Sequence, residues 1–244
     1  MPLMKVDSVK FKPELCSKFF IYGNTGINLL KKITDCLNEL SVLVISPHAT
    51  QAELIGVKSD AIWLYCDIDD VNLAIEEAYK DEYRGKFDVI VLNDITTMNQ
   101  MIYNYIITTN SETMGLKGDL NKPRLEAADW SVLAAMTRDR INAFEKACKM
   151  YIVLAREITL QNAAGDVIGI APNMIGSLRE QFTPDFPEII RASSNRASGE
   201  TEIIYRTNPT VGITAKDVSG RLSEIEKSFT SVVEKLEIFG KVKT

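Results

Sequence analysis

The segment from Gly23 to Leu30 has the spacing of a phosphate-binding loop but not its working side chains. Such a loop follows a strand and needs a final glycine, a lysine for the β- and γ-phosphates and a Ser or Thr hydroxyl for Mg²⁺. When the segment is aligned on Gly23, these three places hold Asn28, Leu29 and Leu30. The sequence therefore predicts a nucleotide-binding framework that has lost hydrolysis, with no catalytic residue and no bound cofactor or metal. The degenerate loop comprises Gly23, Asn24, Thr25, Gly26, Ile27, Asn28, Leu29 and Leu30.

Few other side chains suggest catalysis. His48 is the single histidine, and no G-x-S-x-G segment is present, which argues against a Ser-His-Asp mechanism. The four cysteines are far apart in sequence and include no C-x-x-C pair, so neither a zinc site nor a disulfide framework is indicated. We therefore expect buried thiols in a reducing compartment.

Length and composition are those of an ordinary α/β chain. With 244 residues, 45% hydrophobic and 25% charged, one large α/β domain or a domain with a small appendage is expected. A net charge of −5 argues against a surface that coats DNA without sequence preference. No apolar run approaches the ~20 residues of a membrane span, and the first residues lack a signal-peptide pattern. We expect a protein that is neither secreted nor inserted in a membrane.

The elements that would position the loop alternate over residues 1–156. Compact apolar runs rich in β-branched and aromatic residues predict strands that are buried on both faces of a mainly parallel sheet. Between them, apolar residues recur at steps of three and four, which predicts flanking helices and βαβ units. The predicted strands are Phe19–Tyr22, Val42–Ile45, Ala61–Tyr65, Val89–Leu92 and Tyr151–Leu154.

The rest of the chain does not continue this alternation of strands and helices. Residues 157–221 contain two pairs of short apolar runs around polar turns, which predicts antiparallel hairpins that extend the sheet. Residues 222–244 carry the apolar spacing of an amphipathic C-terminal helix. Asn110 to Ala128 is polar and too long for an ordinary connection, so we expect a functional or a mobile loop there.

Several short motifs in this order resemble the phage-encoded RecA-like P-loop proteins, an AAA-domain group of nucleotide-binding proteins that includes single-strand annealing recombinases. The resemblance implies one RecA-like domain and covers most of the chain. Besides the loop, it rests on Phe87–Thr96, the helix at Trp130 that leads to Tyr151–Arg156, and the stretch Pro172–Leu222.

The resemblance also implies where nucleotide chemistry has been lost. The phosphate-binding lysine falls on Leu29 and the Mg²⁺-binding hydroxyl on Leu30. The carboxylate of the second motif falls on Asn93, with Asp94 in the next place, and an amide is a weaker ligand than a carboxylate for a hard cation. Arg156 and Glu157 fall where the family places polar residues that sense the γ-phosphate. They could instead form a surface ion pair with each other.

Plainer interpretations stay open for each motif. The two glycines of the loop could form an ordinary turn between a strand and a helix, and Asn93-Asp94 could cap the next helix. A set of basic residues in the second half of the chain could line a nucleic-acid groove, a protein interface or simply a solvated surface. This group comprises Arg179, Arg191, Arg196, Arg206 and Lys216.

Three functions follow as hypotheses. The first is a catalytically silent RecA-like phage protein that serves as a structural or assembly subunit, for example at the head–tail junction, and binds copies of itself or other phage proteins. The second is an accessory protein of phage DNA recombination or replication that binds single-stranded DNA with weak or no ATP hydrolysis. The third is an active NTPase that uses ATP and Mg²⁺ through an unusual loop. The resemblance places each of them in the host cytoplasm, with the virion as a further location for the first.

Overall fold

A computed structural model describes residues 16–24, 26–80, 83, 85–113, 125, 127–195 and 202–238. Ten strands form one sheet in the described part of the chain. They are β1 (Ser17–Gly23), β2 (Val42–Pro47), β3 (Ala61–Tyr65), β4 (Val89–Leu92), β5 (Met150–Gln161), β6 (Val167–Pro172), β7 (Glu188–Asn195), β8 (Glu202–Arg206), β9 (Lys216–Asp217) and β10 (Ile225–Glu226).

Helices cover both faces of this sheet. They are α1 (Leu29–Asp35), α2 (Ile68–Ala78), α3 (Ile95–Thr113), α4 (Ala127–Ala143), α5 (Leu178–Phe182) and α6 (Phe229–Lys235), with short 3₁₀ helices at His48–Leu54 and Thr183–Asp185. No helix in the described ranges is both long and apolar enough to cross a membrane.

The strand order β10-β8-β7-β1-β5-β4-β2-β3 places the loop strand in the middle of the sheet. The neighbours from β7 to β3 are all parallel. Carboxyl ends of parallel strands meet at one edge, where α/β sheets bind their ligands. The α/β fold with a mainly parallel sheet and flanking helices is thus confirmed, and the position of β1 brings its loop close to the end of β4 and to Arg156 in the middle of β5.

Two apolar cores lie on opposite faces of the sheet. One is formed with α2, α3, α4 and α5, and the other with α1 and α6. The middle strands contribute alternate side chains to each core, because successive residues of a strand point to opposite faces. Phe20 and Tyr22 of β1 belong to the first core, and Phe19 and Ile21 belong to the second.

The second half of the chain departs from the predicted division. The β5–β6 and β7–β8 pairs are antiparallel, as expected. However, β7 also pairs in parallel with β1, so residues 157–221 do not form a purely antiparallel extension. Strand β7 lies between its hairpin partner β8 and the central strand β1, so it belongs to both the antiparallel and the parallel parts of the sheet.

The C-terminal helix is shorter than the predicted 222–244. It begins after Ser228, whose side chain accepts a hydrogen bond from the N–H of Ser231 at 3.1 Å, and ends at Lys235. Ile225 and Glu226 form β10 and pair with β8, which satisfies backbone groups that a longer helix would have used. Residues 239–244 lie outside the described ranges.

The predicted polar loop at residues 110–128 is partly helical. Helix α3 continues to Thr113 and α4 begins at Ala127, while residues 114–124 and 126 are not among those described.

Candidate functional site

The carboxyl ends of β1 and β4, the middle of β5 and the 3₁₀ helix after β2 line a cavity of about 280 Å³. The structure therefore brings together the loop, the Asn93-Asp94 pair and Arg156, as the parallel arrangement of their strands requires. Thr25 lies outside the described residues. The cavity is lined by Gly23, Asn24, Gly26, Ile27, Asn28, Leu29, Leu30, Ala52, Glu53, Asn93, Asp94, Leu154, Ala155 and Arg156.

The loop directs several backbone N–H groups to its own oxygen atoms. The N–H of Gly26 donates to Oδ1 of Asn24 at 2.8 Å, and the N–H of Ile27 donates to the Asn24 carbonyl at 3.0 Å. The N–H of Leu29 donates to the Ile27 carbonyl at 2.8 Å. A phosphate cradle depends on such groups pointing at the anion. In this conformation these three donors are already engaged.

Asn28 ties the loop to the neighbouring 3₁₀ helix. Its Oδ1 accepts from the N–H of Lys31 at 3.0 Å and so caps α1, as amide side chains do at helix starts. Its Nδ2 donates to the Glu53 carbonyl at 2.9 Å. Glycine, the residue that a phosphate-binding loop has at this place, can make neither bond.

The side chains of Leu29 and Leu30 pack into an apolar core and give the cavity no polar group. They are 9% and 2% exposed and belong to the core formed with α1 and α6. The nearest cation in sequence does not replace the missing lysine, because Nζ of Lys31 pairs with Oδ2 of Asp35 at 2.6 Å along the helix. The loop wall of the cavity is therefore without a charged group among its described residues.

The second motif is buried and internally bonded. Asn93 and Asp94 are 4% and 3% exposed. Nδ2 of Asn93 donates to Oγ of Ser46 at 3.1 Å. Oδ1 of Asp94 accepts from the N–H of Thr97 at 2.6 Å, which is the capping role considered for this pair, and Oδ2 accepts from Nε of Arg156 at 3.1 Å. Both carboxylate oxygens thus already have donors, and a metal ion would have to compete with Arg156.

Arg156 and Glu157 do not pair with each other, contrary to one of the interpretations considered above. Nε of Arg156 contacts Asp94, whereas Oε2 of Glu157 accepts from Nε of Arg191 at 3.0 Å. The two side chains follow each other on β5 and point to opposite faces of the sheet. Only Arg156 lines the cavity, so only this residue is placed to meet a ligand there.

Glu53 is a site residue that sequence reasoning missed. Its Oε1 lies 3.7 Å from Nη2 of Arg156, and its Oε2 lies 3.4 Å from Nδ2 of Asn93. Glu53 lies in the 3₁₀ helix that follows β2, six residues after the last residue of that strand. A polar residue so far from the strand end is only a weak sign of a site in the sequence.

The cavity carries charges of both signs. One guanidinium, from Arg156, faces the carboxylates of Asp94 and Glu53, so these three groups sum to a negative charge. The buried hydroxyl of Tyr65 lies 3.5 Å from the Asn93 carbonyl, and burial raises the pKa of Tyr65 well above its usual value, so it stays neutral. No group of three or more metal-binding side chains occurs among the described residues. Leu29 and Leu30 offer this cavity neither an ammonium group for a phosphate nor a hydroxyl for Mg²⁺.

The predicted basic group is dispersed into separate contacts. Arg179 pairs with Glu180 at 3.2 Å and Arg206 with Glu224 at 2.6 Å, while Arg191 pairs with Glu157. Nζ of Lys216 donates to the Phe186 carbonyl at 2.8 Å. Arg196 lies outside the described residues. Three of the four described members therefore have a carboxylate partner that offsets their charge.

The cysteines differ in part from the prediction of buried thiols. Cys66 is exposed, since it follows the edge strand β3, and the other three are partly buried. The sulfur atoms of Cys16 and Cys148 lie 4.0 Å apart, and their mutual hydrogen bond and burial raise the pKa of the Cys148 thiol.

Comparisons with known proteins show the family of the chain. The search of curated proteins gives no match. Among solved structures, the chain is similar to the flagellar accessory protein FlaH from Methanocaldococcus jannaschii, with 12% identity, a TM-score of 0.40, and coverage of 87% of this chain and 84% of that one. The family model described as "AAA domain" matches residues 18–219, from the second residue of β1 to beyond β9. This range covers most of the chain and includes the loop, the second motif and the parallel strands that carry them. The chain therefore belongs to this AAA domain family.

Proposed function

We propose that this chain is a member of the AAA domain family that has lost nucleotide hydrolysis and works as a structural or assembly subunit of a bacteriophage. The observation that carries the proposal is the loop, whose N–H groups of Gly26, Ile27 and Leu29 bond to its own oxygens. Leu29 and Leu30 fill the places of the lysine and the hydroxyl, which removes the cation that stabilises charge during phosphoryl transfer.

The buried second motif supports the same proposal. Asp94 forms an ion pair with Arg156 and caps α3. These two structural roles explain its presence without metal binding. The chain thus keeps its folded framework while groups that would meet a nucleotide bond to one another. We propose copies of itself or other phage proteins as partners, and the host cytoplasm or the virion as its location.

Nucleotide binding and phosphate release test the loss of hydrolysis. The native chain should neither retain nor hydrolyse ATP with Mg²⁺ at millimolar concentration. The triple variant Asn28→Gly, Leu29→Lys, Leu30→Thr restores the motif and should gain measurable binding. Phosphate release by the native chain that disappears in Asp94→Asn would contradict the proposal, and Lys32→Ala serves as a matched surface control.

The structural role has its own test. Mass spectrometry of purified phage particles should detect this chain, or an assembly purified from infected cells should contain it. Its absence from both would leave the hydrolysis result intact and remove the structural assignment.

The DNA-binding hypothesis receives less support. Arg179, Arg191 and Arg206 are paired with glutamates, so each would have to give up an ion pair before it could contact a phosphate. Binding that depends on phosphate contacts weakens steeply with salt. A gel-shift experiment with single-stranded DNA at low salt should therefore show no retention, and a salt-sensitive shift would revive this alternative.

A further inference from the structure

Two cysteines that are far apart in the sequence meet at the amino ends of neighbouring strands. Cys16 directly precedes β1, and Cys148 lies two residues before β5. Their sulfur atoms are 4.0 Å apart, close enough for one thiol to donate a hydrogen bond to the other. Both side chains pack against the core formed with α2, α3, α4 and α5, so they lie on the same face of the sheet. This edge of the sheet is opposite the one that holds the cavity.

Backbone hydrogen bonds hold the two cysteines side by side. The N–H of Ser17 donates to the Lys149 carbonyl at 2.9 Å. This bond joins the residue after Cys16 to the residue after Cys148. The N–H of Lys149 in turn donates to the Asp88 carbonyl at 3.1 Å, which fixes the start of β5 against β4. Adjacent strands lie about 4.8 Å apart, which is within the Cα separation of about 4.4–6.8 Å that a disulfide spans.

We propose that Cys16 and Cys148 form a modification site, at which a low-molecular-weight disulfide of the oxidised glutathione class reversibly converts the two thiols into an intramolecular disulfide. The new bond joins β1 to β5 covalently, whereas in a reducing compartment the two residues stay thiols. The inference goes beyond the proposed function and does not depend on it, because the pair lies at the other edge of the sheet from the loop.

The oxidation consists of two thiol–disulfide exchange reactions. The Cys16 thiolate attacks one sulfur of oxidised glutathione, forms a mixed disulfide and releases one glutathione thiolate. The Cys148 thiolate then attacks Sγ of Cys16, forms the bond between the two cysteines and releases the second glutathione thiolate. The two protons lost by the cysteines pass through solvent to the two released thiolates. The chain loses two electrons, and one molecule of glutathione disulfide gains them.

The order of the two steps follows from the environment of Cys148. The hydrogen bond with Cys16, and then burial, raise the pKa of the Cys148 thiol, so this thiol resists ionisation while the pair is reduced. Because the thiolate is the nucleophile, Cys148 is poorly suited to the first attack. In the mixed disulfide, Cys16 no longer has a thiol to share with Cys148. The largest cause of the raised pKa is then gone, and Cys148 supplies the second thiolate.

The other two cysteines are placed differently and serve as internal controls. Cys36 packs against the core formed with α1 and α6, so the sheet lies between it and the pair. Cys66 is exposed and follows the carboxyl end of β3, the last strand in the order. Oxidised glutathione should therefore leave Cys66 as a mixed disulfide, because neither member of the pair is positioned to displace the bound glutathione.

Peptide mapping and intact mass test the bond. After the folded native chain is treated with oxidised glutathione, mapping without reductant should find Cys16 and Cys148 in one crosslinked pair, which dithiothreitol separates. In a Cys36→Ser, Cys66→Ser background, the intact mass should fall by two hydrogen atoms with no bound glutathione. Adding Cys148→Ser to that background should instead leave one glutathione on Cys16, because the second step is blocked.

Thermal unfolding tests the effect of the bond on the fold. The disulfide closes a loop from Cys16 to Cys148 and restricts the unfolded chain, so oxidation should raise the midpoint by about 5–15 °C. Measured by circular dichroism in the Cys36→Ser, Cys66→Ser background, the rise should disappear with dithiothreitol. It should be absent when Cys16→Ser is added.

Three outcomes would overturn the proposal. They are glutathione that stays on Cys16 while Cys148 remains a thiol, a pair that stays reduced while Cys66 is modified, and a midpoint that formation of the bond leaves unchanged. The native chain is itself one of the samples, so the test does not depend on the folding of a variant. ATP hydrolysis by the native chain would instead contradict only the proposed loss of hydrolysis, so the two failures are distinguishable.

Discussion

Gly23 lies where the end of β1 passes so close to β7 that a methyl group does not fit. A Cβ at this position would lie 2.7 Å from the Ala192 carbonyl oxygen, which belongs to the backbone and cannot rotate away. We expect Gly23→Ala to lower the free energy of unfolding by about 1–3 kcal/mol, the usual cost of forcing extra volume into a packed site. Urea denaturation measures this, with Gly26→Ala as control, since the nearest atom there is a side-chain oxygen at 3.3 Å. Equal loss in both variants would contradict the steric argument.

Glu188 should make stability depend on pH. Burial, and then the neighbouring Asp217 carboxylate, raise the pKa of Glu188 from 4.5 to about 8. Below pH 4.5 both the folded and the unfolded states hold the proton, so Glu188 does not make the free energy of unfolding change with pH there. Between these two pKa values the unfolded state releases the proton while the folded state keeps it, so stability falls as pH rises, by at most about 1.4 kcal/mol per pH unit.

Glu188→Gln removes this titration. The free energy of unfolding of the variant should equal that of the native chain near pH 4.5 and exceed it near pH 8. Urea denaturation across this pH range measures both. Glu180→Gln is the control, because the Glu180 side chain is 65% exposed. A constant difference between Glu188→Gln and the native chain at every pH would show that the carboxyl does not titrate as described.

At the level of single elements, α2 illustrates how one side chain fixes a helix start. Oδ1 of Asp67 accepts hydrogen bonds from the N–H groups of Asp69 and Asp70, each at 3.0 Å. Asp67→Ala leaves these donors to water and should cost about 0.5–2 kcal/mol of stability in thermal or urea unfolding. Asp67→Asn keeps an acceptor at the same place and should retain most of the stability. If both variants unfold alike, the cap is not what holds the start of α2.

Elements were predictable where burial alone decides them. Val89–Leu92 is apolar and β-branched or leucine throughout, so the sequence predicted the strand with the bounds that the structure has. The parallel order then placed Asn93, Asp94 and Arg156 at one edge. The closure of the loop and the position of Glu53 depend on hydrogen bonds between segments distant in sequence, and no periodicity encodes those. The apolar spacing after Leu222 was misleading, because backbone pairing between β10 and β8 competes with helix formation there.

On the scale of the whole molecule, a single sheet separates two apolar cores and belongs to both. Phe144 is fully buried in one core, 6.0 Å from the ring of Tyr151. Phe229 is fully buried in the other, where its ring meets that of Phe19 edge-on at 5.6 Å. Because the same strands supply both cores, losing either one should expose the sheet and unfold the other.

We therefore expect one cooperative thermal transition that substitutions on either face shift as a unit. Phe144→Ala and Phe229→Ala should each destabilise the protein by about 3–5 kcal/mol. Trp63 packs against the core that contains Phe144, so its fluorescence reports from the face opposite Phe229. In a Trp130→Phe background, Phe229→Ala should lower the fluorescence transition and the circular-dichroism transition by the same amount. A fluorescence midpoint that stays in place while α6 and its core are lost would mean that the two faces unfold independently.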